Sequence, residues 1–154
     1  MSGSKDQCFN KHLATSALEE AKNALKLANE KLKSFRGEAL RLRDACEKGW
    51  LAVLLATDVL LAELGFRKPE SYAERRMLLR ELERKMPKTA EISLRDRLWA
   101  RGYYLHILGY HEGSLREDEA AEELEKAGKY VEDVEKLLKE AKQKETWRER
   151  DHHG

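Results

Sequence analysis

Ala14-Thr-Ser-Ala-Leu18-Glu-Glu-Ala21-Lys-Asn-Ala-Leu25-Lys-Leu-Ala28-Asn-Glu-Lys-Leu32-Lys-Ser-Phe35 decides the fold class. Ala14, Leu18, Ala21, Leu25, Ala28, Leu32 and Phe35 follow one another by alternating steps of four and three residues. An α-helix places such positions on a single stripe, and small residues within it let a second helix approach closely. The spacing predicts a helix over Lys11–Phe35, ended by Gly37. The same rhythm returns in Leu124, Ala127, Val131, Val134, Leu138 and Ala141, predicting a long closing helix over Arg116–Trp147.

Between these lie three further helical segments. Glu38–Glu63 is apolar on two sides: Leu42, Cys46, Trp50, Val53, Leu60, Leu61 and Leu64 mark one, and Leu51, Leu55 and Val59 the other. Such a helix is central to a bundle or lies in a subunit interface. Gly65 reads as its C-cap, and Ser71 as N-cap of a short helix over Tyr72–Met86 that Pro87 closes. A fourth helix is expected over Ser93–Tyr110, with Gly109 and Gly113 at its end. Residues 1–10 and 148–154 read as flexible tails. The prediction is one all-α domain over 1–154, an antiparallel bundle of about five helices. Limited core per helix points to a homodimer through the second or fourth.

Composition sets the outer bounds. The chain has 154 residues, 38% of them charged, but 30 basic and 29 acidic side chains cancel, so net charge selects no partner. Gln and Asn are scarce beside Glu, Lys and Arg, the balance expected of a thermophile. Cys8 and Cys46 have no metal or disulfide spacing, and Cys46 falls on an apolar helix side. No apolar run is long enough for a bilayer, and the N-terminal residues carry no apolar signal segment, so a cytoplasmic protein without membrane contact is expected. No motif calls for a metal or another cofactor.

Candidate chemistry concentrates in Arg101-Gly-Tyr-Tyr-Leu-His106. Leu94, Leu98, Leu105 and Leu108 form the apolar stripe of the fourth helix, and Arg101 interrupts it. An unpaired guanidinium is very costly in a core, so Arg101 meets a carboxylate, snorkels to an edge, or points into a cleft. His106 shares a neighbouring stripe with Trp99, Gly102, Tyr103 and Tyr110. On a straight α-helix, Arg101 and His106 point roughly 140° apart. They converge only through a distortion at Gly102 or across a dimer axis. The plainer reading is a structural ion pair at Arg101 and a satisfied histidine at His106.

The helix order and three segments resemble the HEPN superfamily (higher eukaryotes and prokaryotes nucleotide-binding), in particular its archaeal PaREP-type branch. Arg101-Gly-Tyr-Tyr-Leu-His106 is similar to the family's Arg-x4-6-His pattern. Asp44-Ala-Cys-Glu-Lys-Gly-Trp-Leu-Ala-Val53 resembles its Ala-x-Glu-Lys segment. Leu105-His106 with Tyr110-His111-Glu112-Gly113 resembles the ending of the archaeal branch, one residue offset. The resemblance implies RNA or nucleotide binding and, in its sharpest form, metal-independent RNA cleavage at a composite dimer site. His106 would then be general acid or base, and Arg101 would stabilise the phosphorane-like transition state, with Glu47, Tyr103 and Tyr110 in support. Gly102 departs from active members, which commonly carry a polar residue there. The family also includes inactive bundles and partners of small nucleotidyltransferases in toxin–antitoxin pairs, so a non-catalytic interaction module is the alternative.

Three further features concern charge. Arg76, Arg80 and Arg84 form a ridge with four-residue steps, read either as a nucleic-acid-binding surface or as a face neutralised by the acidic closing helix. From Phe66 to Arg101 there are eleven Lys/Arg against six Asp/Glu, and from Glu112 to Glu145 seven against twelve. Glu47 and Asp58 interrupt the apolar second helix. Glu47 is expected to hold Arg101 or a partner's arginine, and Asp58 to face solvent. His111 reads as exposed rather than catalytic, and His152 and His153 as tail residues.

Overall fold

The structure, a computed structural model, describes residues 3–151, with side chains described over 18–145 and at Arg150. Ala14, Cys8, His152 and His153 therefore fall outside the described side chains. The fold is an all-α bundle: α1 (Gly3–Lys33), α2 (Ala39–Glu63), α3 (Tyr72–Lys85), α4 (Lys88–Glu91), α5 (Leu94–Arg101) and α6 (Glu117–Asp151), with a π-helical segment, Gly102–Glu112, running on from α5. α1 and α6 extend at their outer ends into the segments read as tails.

α2 is central, packing against α1, α3, α5, the π segment and α6. Its two-sided apolar pattern is the cause: Leu42, Cys46, Trp50 and Val53 are buried on one side and Val59 on the other. The seams of the flanking long helices close on it. Leu18, Ala21 and Ala28 of α1 and Leu124, Ala127, Val131, Val134, Leu138 and Ala141 of α6 are all buried. A polar pair buried between α2 and α6 is satisfied within the core. Tyr130, fully buried, meets Thr57 Oγ1 through its hydroxyl at 2.6 Å, and Thr57 donates to the Val53 carbonyl at 2.7 Å.

Local signals hold at the helix ends. Ser71 Oγ accepts from Glu74 N–H at 3.1 Å, and Gly37 and Gly65 adopt left-handed φ values of 78° and 86°. The expected fourth helix differs. Its α-helical part is confined to Leu94–Arg101, preceded by Ser93 at φ 56° and by the single turn α4. Beyond Arg101 the winding changes to π as far as Glu112.

Asp58 does not face solvent. Arg75 Nε and Nη2 each donate to one of its oxygens at 3.0 Å, tying α3 to α2. Nor does the basic α3 lie along acidic α6; it packs on α2, α4 and α5. Cations that meet α6 include Arg97 and Arg101 of α5, on Asp133 and Glu123, and Lys22 of α1, on Glu135. Charge totals along the chain could not distinguish these partners, because pairing depends on which helices touch.

Cys46 is completely buried, and burial, followed by the nearby charges of Glu123 and Glu47, pushes its thiol from 9.0 up to about 11. At pH 8 that lowers its thiolate fraction about a hundredfold. In a Cys8→Ser variant, iodoacetamide should label Cys46 at least about a hundredfold faster in denaturant than in the native state. Comparable rates would mean that the α2–π packing opens readily.

Candidate functional site

The π winding determines which side chains meet. Its hydrogen bonds span five residues, so positions i and i+5 come onto one face, unlike in an α-helix. Two glycines let this wider helix sit against α2. A Cβ on Gly102 would stand 3.0 Å from Trp50 Cη2, and one on Gly109 would stand 2.7 Å from Cys46 Sγ. The absence of a side chain at Gly102 thus has a packing cause: the indole of Trp50 occupies its space.

His106 and His111, five apart, are the pair this winding aligns. Their Nε2 atoms lie 3.1 Å apart and their ring centres 4.4 Å apart. On the far side of His106, Nδ1 lies 2.8 Å from Glu47 Oε2. A carboxylate only accepts, so Nδ1 carries a proton and donates to Glu47. A single proton then serves the two facing Nε2 atoms, leaving His111 Nδ1 as the outer end of a Glu47–His106–His111 relay. Trp50 and Tyr110 flank the His106 ring with centres 6.1 and 6.0 Å away, Tyr110 in stacked geometry.

His111 is exposed and, with Leu40, Arg43, Asp44 and Tyr110, lines a groove of about 520 Å3. Arg43 Nη2 donates to the Glu112 carbonyl at 3.3 Å. Asp44 is held by Lys31 and Lys48, and the hydrogen bond from Lys31 leads in drawing its carboxyl below the ordinary value. Two ammonium groups therefore surround that carboxylate, and Arg43 adds a third cation to the neighbourhood.

Arg101 is elsewhere. Its side chain is 7% exposed, and Nη1 lies 2.8 Å from Glu123 Oε2 on α6, whose side chain is equally buried. The contact is electrostatic without hydrogen-bond alignment, for Arg101 Nε and Nη1 and Glu123 Oε2 all lack hydrogen-bond partners. Burial draws the guanidinium below its ordinary value against the opposing pull of Glu123. Within one chain Arg101 and His106 therefore go to different partners on different helices. A distortion does begin at Gly102, yet it brings His111, not Arg101, to His106.

Of the supporting residues, Glu47 and Tyr110 contact His106. Glu47 holds this imidazole rather than Arg101. Tyr103 instead packs edge-on against Tyr104, centres 5.3 Å apart, and is 53% exposed. Arg76, Arg80 and Arg84 form an exposed ridge on α3. They take no part in the ion pairs Arg75–Asp58 and Arg95–Glu83 that tie α3 to its neighbours. His111, Trp50 and Arg43 were not among the candidates. A spacing of five points to proximity only once the helix is known to be π.

Among the described residues no cluster of three or more His, Cys, Asp or Glu is arranged to hold a metal, and no helix is long and apolar enough to cross a membrane. No family model, curated protein or solved structure matches the chain.

Proposed function

We propose that this protein is a HEPN-like RNA-binding protein that cleaves RNA without a metal ion, using the Glu47–His106–His111 relay. The carrying observation is that relay, 2.8 and 3.1 Å between its members, ending at the groove that Arg43 also lines. His111 Nδ1 takes the proton of a ribose 2′-hydroxyl while the 2′-oxygen attacks the adjacent phosphorus. The Nε2 proton of His111 passes to His106, so positive charge comes to rest beside the Glu47 carboxylate. The P–O5′ bond breaks, and the relay returns a proton to the leaving 5′-oxygen. The products are a 2′,3′-cyclic phosphate and a 5′-hydroxyl. Arg43 stabilises the charge that develops on the phosphoryl oxygens. Arg101 has a structural role in this reading, and the ridge of Arg76, Arg80 and Arg84 offers a further contact for the strand.

The test is incubation of purified protein with single-stranded RNA in excess EDTA. Wild type should give 5′-hydroxyl ends, and Arg43→Gln should cleave about a hundredfold more slowly. No cleavage above the variant, with both proteins folded, would sink the reading.

One observation favours the rival reading, a non-catalytic module that pairs with a nucleotidyltransferase or with its own copy. The π segment exposes Tyr103, Tyr104, Ile107 and Tyr110 together, an aromatic surface of the kind that subunit contacts cover. A doubled mass in light scattering that Ile107→Glu restores to monomer, without RNA cleavage, would favour it.

A further inference from the structure

A second cavity, of about 180 Å3, lies between α5 and α6, walled by Arg97, Ala100, Arg101, Lys126, Lys129 and Tyr130. Its lining has no residue in common with the His111 groove. Four of the walls are cations, and two carboxylates serve them all. Arg101 and Lys126 share Glu123 at 2.8 and 3.4 Å, while Arg97 and Lys129 share Asp133 at 2.9 and 2.8 Å. Each carboxylate thus offsets half of the positive charge that it faces.

The unmet hydrogen bonding is greatest where water is scarcest. Arg101 is nine-tenths buried, with two guanidinium nitrogens lacking hydrogen bonds. Buried donors without acceptors are costly, and an anion's oxygens supply acceptors. Tyr130 brings no competing acceptor, because its hydroxyl is occupied by Thr57 and its ring lies under the Arg97 guanidinium, 5.6 Å from the ring centre. Ala100 keeps the space open, since a larger side chain at that position would extend into it.

We propose that this cavity binds a phosphate monoester or free phosphate as the dianion. Two surplus positive charges match a dianion, whereas an internal phosphodiester brings only one negative charge and two esterified oxygens. The site stands independently of RNA cleavage at the relay. It gives the α5–α6 seam a ligand that draws those two helices together.

The proposal is tested by calorimetric titration of the full chain at low salt with inorganic phosphate, adenosine 5′-monophosphate, adenosine, and an RNA oligonucleotide lacking terminal phosphates. Saturable binding of phosphate alone identifies the free ion as occupant, and tighter binding of the monophosphate identifies a nucleotide. Lys129→Gln, on the exposed rim, should weaken either about tenfold. Ala100→Leu should abolish it, with folding checked by circular dichroism, and Arg43→Gln should leave it unchanged. Absence of saturable binding overturns the proposal. So does equal binding of adenosine or the oligonucleotide, or insensitivity to both Lys129→Gln and Ala100→Leu. Because no arm reads cleavage, its failure is separate from failure of the RNA reading.

Discussion

Glu123→Ala is expected to destabilise the protein by about 3–5 kcal/mol, the cost of leaving a buried charge without its partner. Arg101 has no other carboxylate among its ion pairs, and it lies in the seam between α5 and α6. Its guanidinium cannot escape by losing a proton at ordinary pH. Lys126, the other cation on Glu123, is 59% exposed and simply returns to water. Removing both charges has a different result. Arg101→Met with Glu123→Leu should recover most of the loss, since apolar groups of similar volume often replace buried pairs at little cost. The measurement is the urea midpoint at unchanged slope. A loss below about 1 kcal/mol would mean that water reaches the guanidinium and that the pair behaves as a surface bridge.

For the proposed RNA cleavage, His106→Ala should lower kcat by about 10²–10⁴-fold while leaving KM and the urea midpoint near wild type. His106 sits between Glu47 and His111, so its removal disconnects the outer imidazole from the carboxylate. The ring is only partly buried, which limits the structural loss. His111→Ala should fall in the same range. The double variant should be no worse than either single one, because residues acting as a unit are not additive. Glu47→Gln keeps a hydrogen-bond acceptor but removes the charge beside His106, and a smaller fall in kcat is expected. If the two histidine losses instead multiply, or if KM carries the effect, the imidazoles act separately and the relay is wrong.

The contrast between Arg101 and His106 shows how far the sequence could be read. Arg101 interrupting the stripe of Leu94, Leu98 and Leu105 called for a carboxylate partner, an edge or a cleft. The stripe could not say whether that partner was Glu47 or Glu123, since each is an acid on another helix with a compatible face. Asp58 was misread for a related reason. Near the end of an apolar helix it resembled a solvent-facing acid, and only the packing of α3 brings Arg75 to it. His111, exposed as expected, was not linked to His106 because the helix was expected to end at Tyr110, one residue before it.

By itself, the sequence determined that this protein is all-α, where its long helices run, and which of their faces are buried. Those properties follow from local periodicity, from glycine and proline at the ends, and from the Ser71 cap, each acting within a few residues along the chain. Only the tertiary structure decided the winding after Arg101, which brings His106 to His111, and the packing of α6, whose Glu123 holds Arg101. π winding leaves no periodic signature in a stretch rich in aromatics. It is accommodated where Gly102 meets the Trp50 ring and Gly109 meets Cys46, contacts between residues far apart in sequence. The residues of the candidate site were thus visible from the start, but their partners were set by which helices the core brought together.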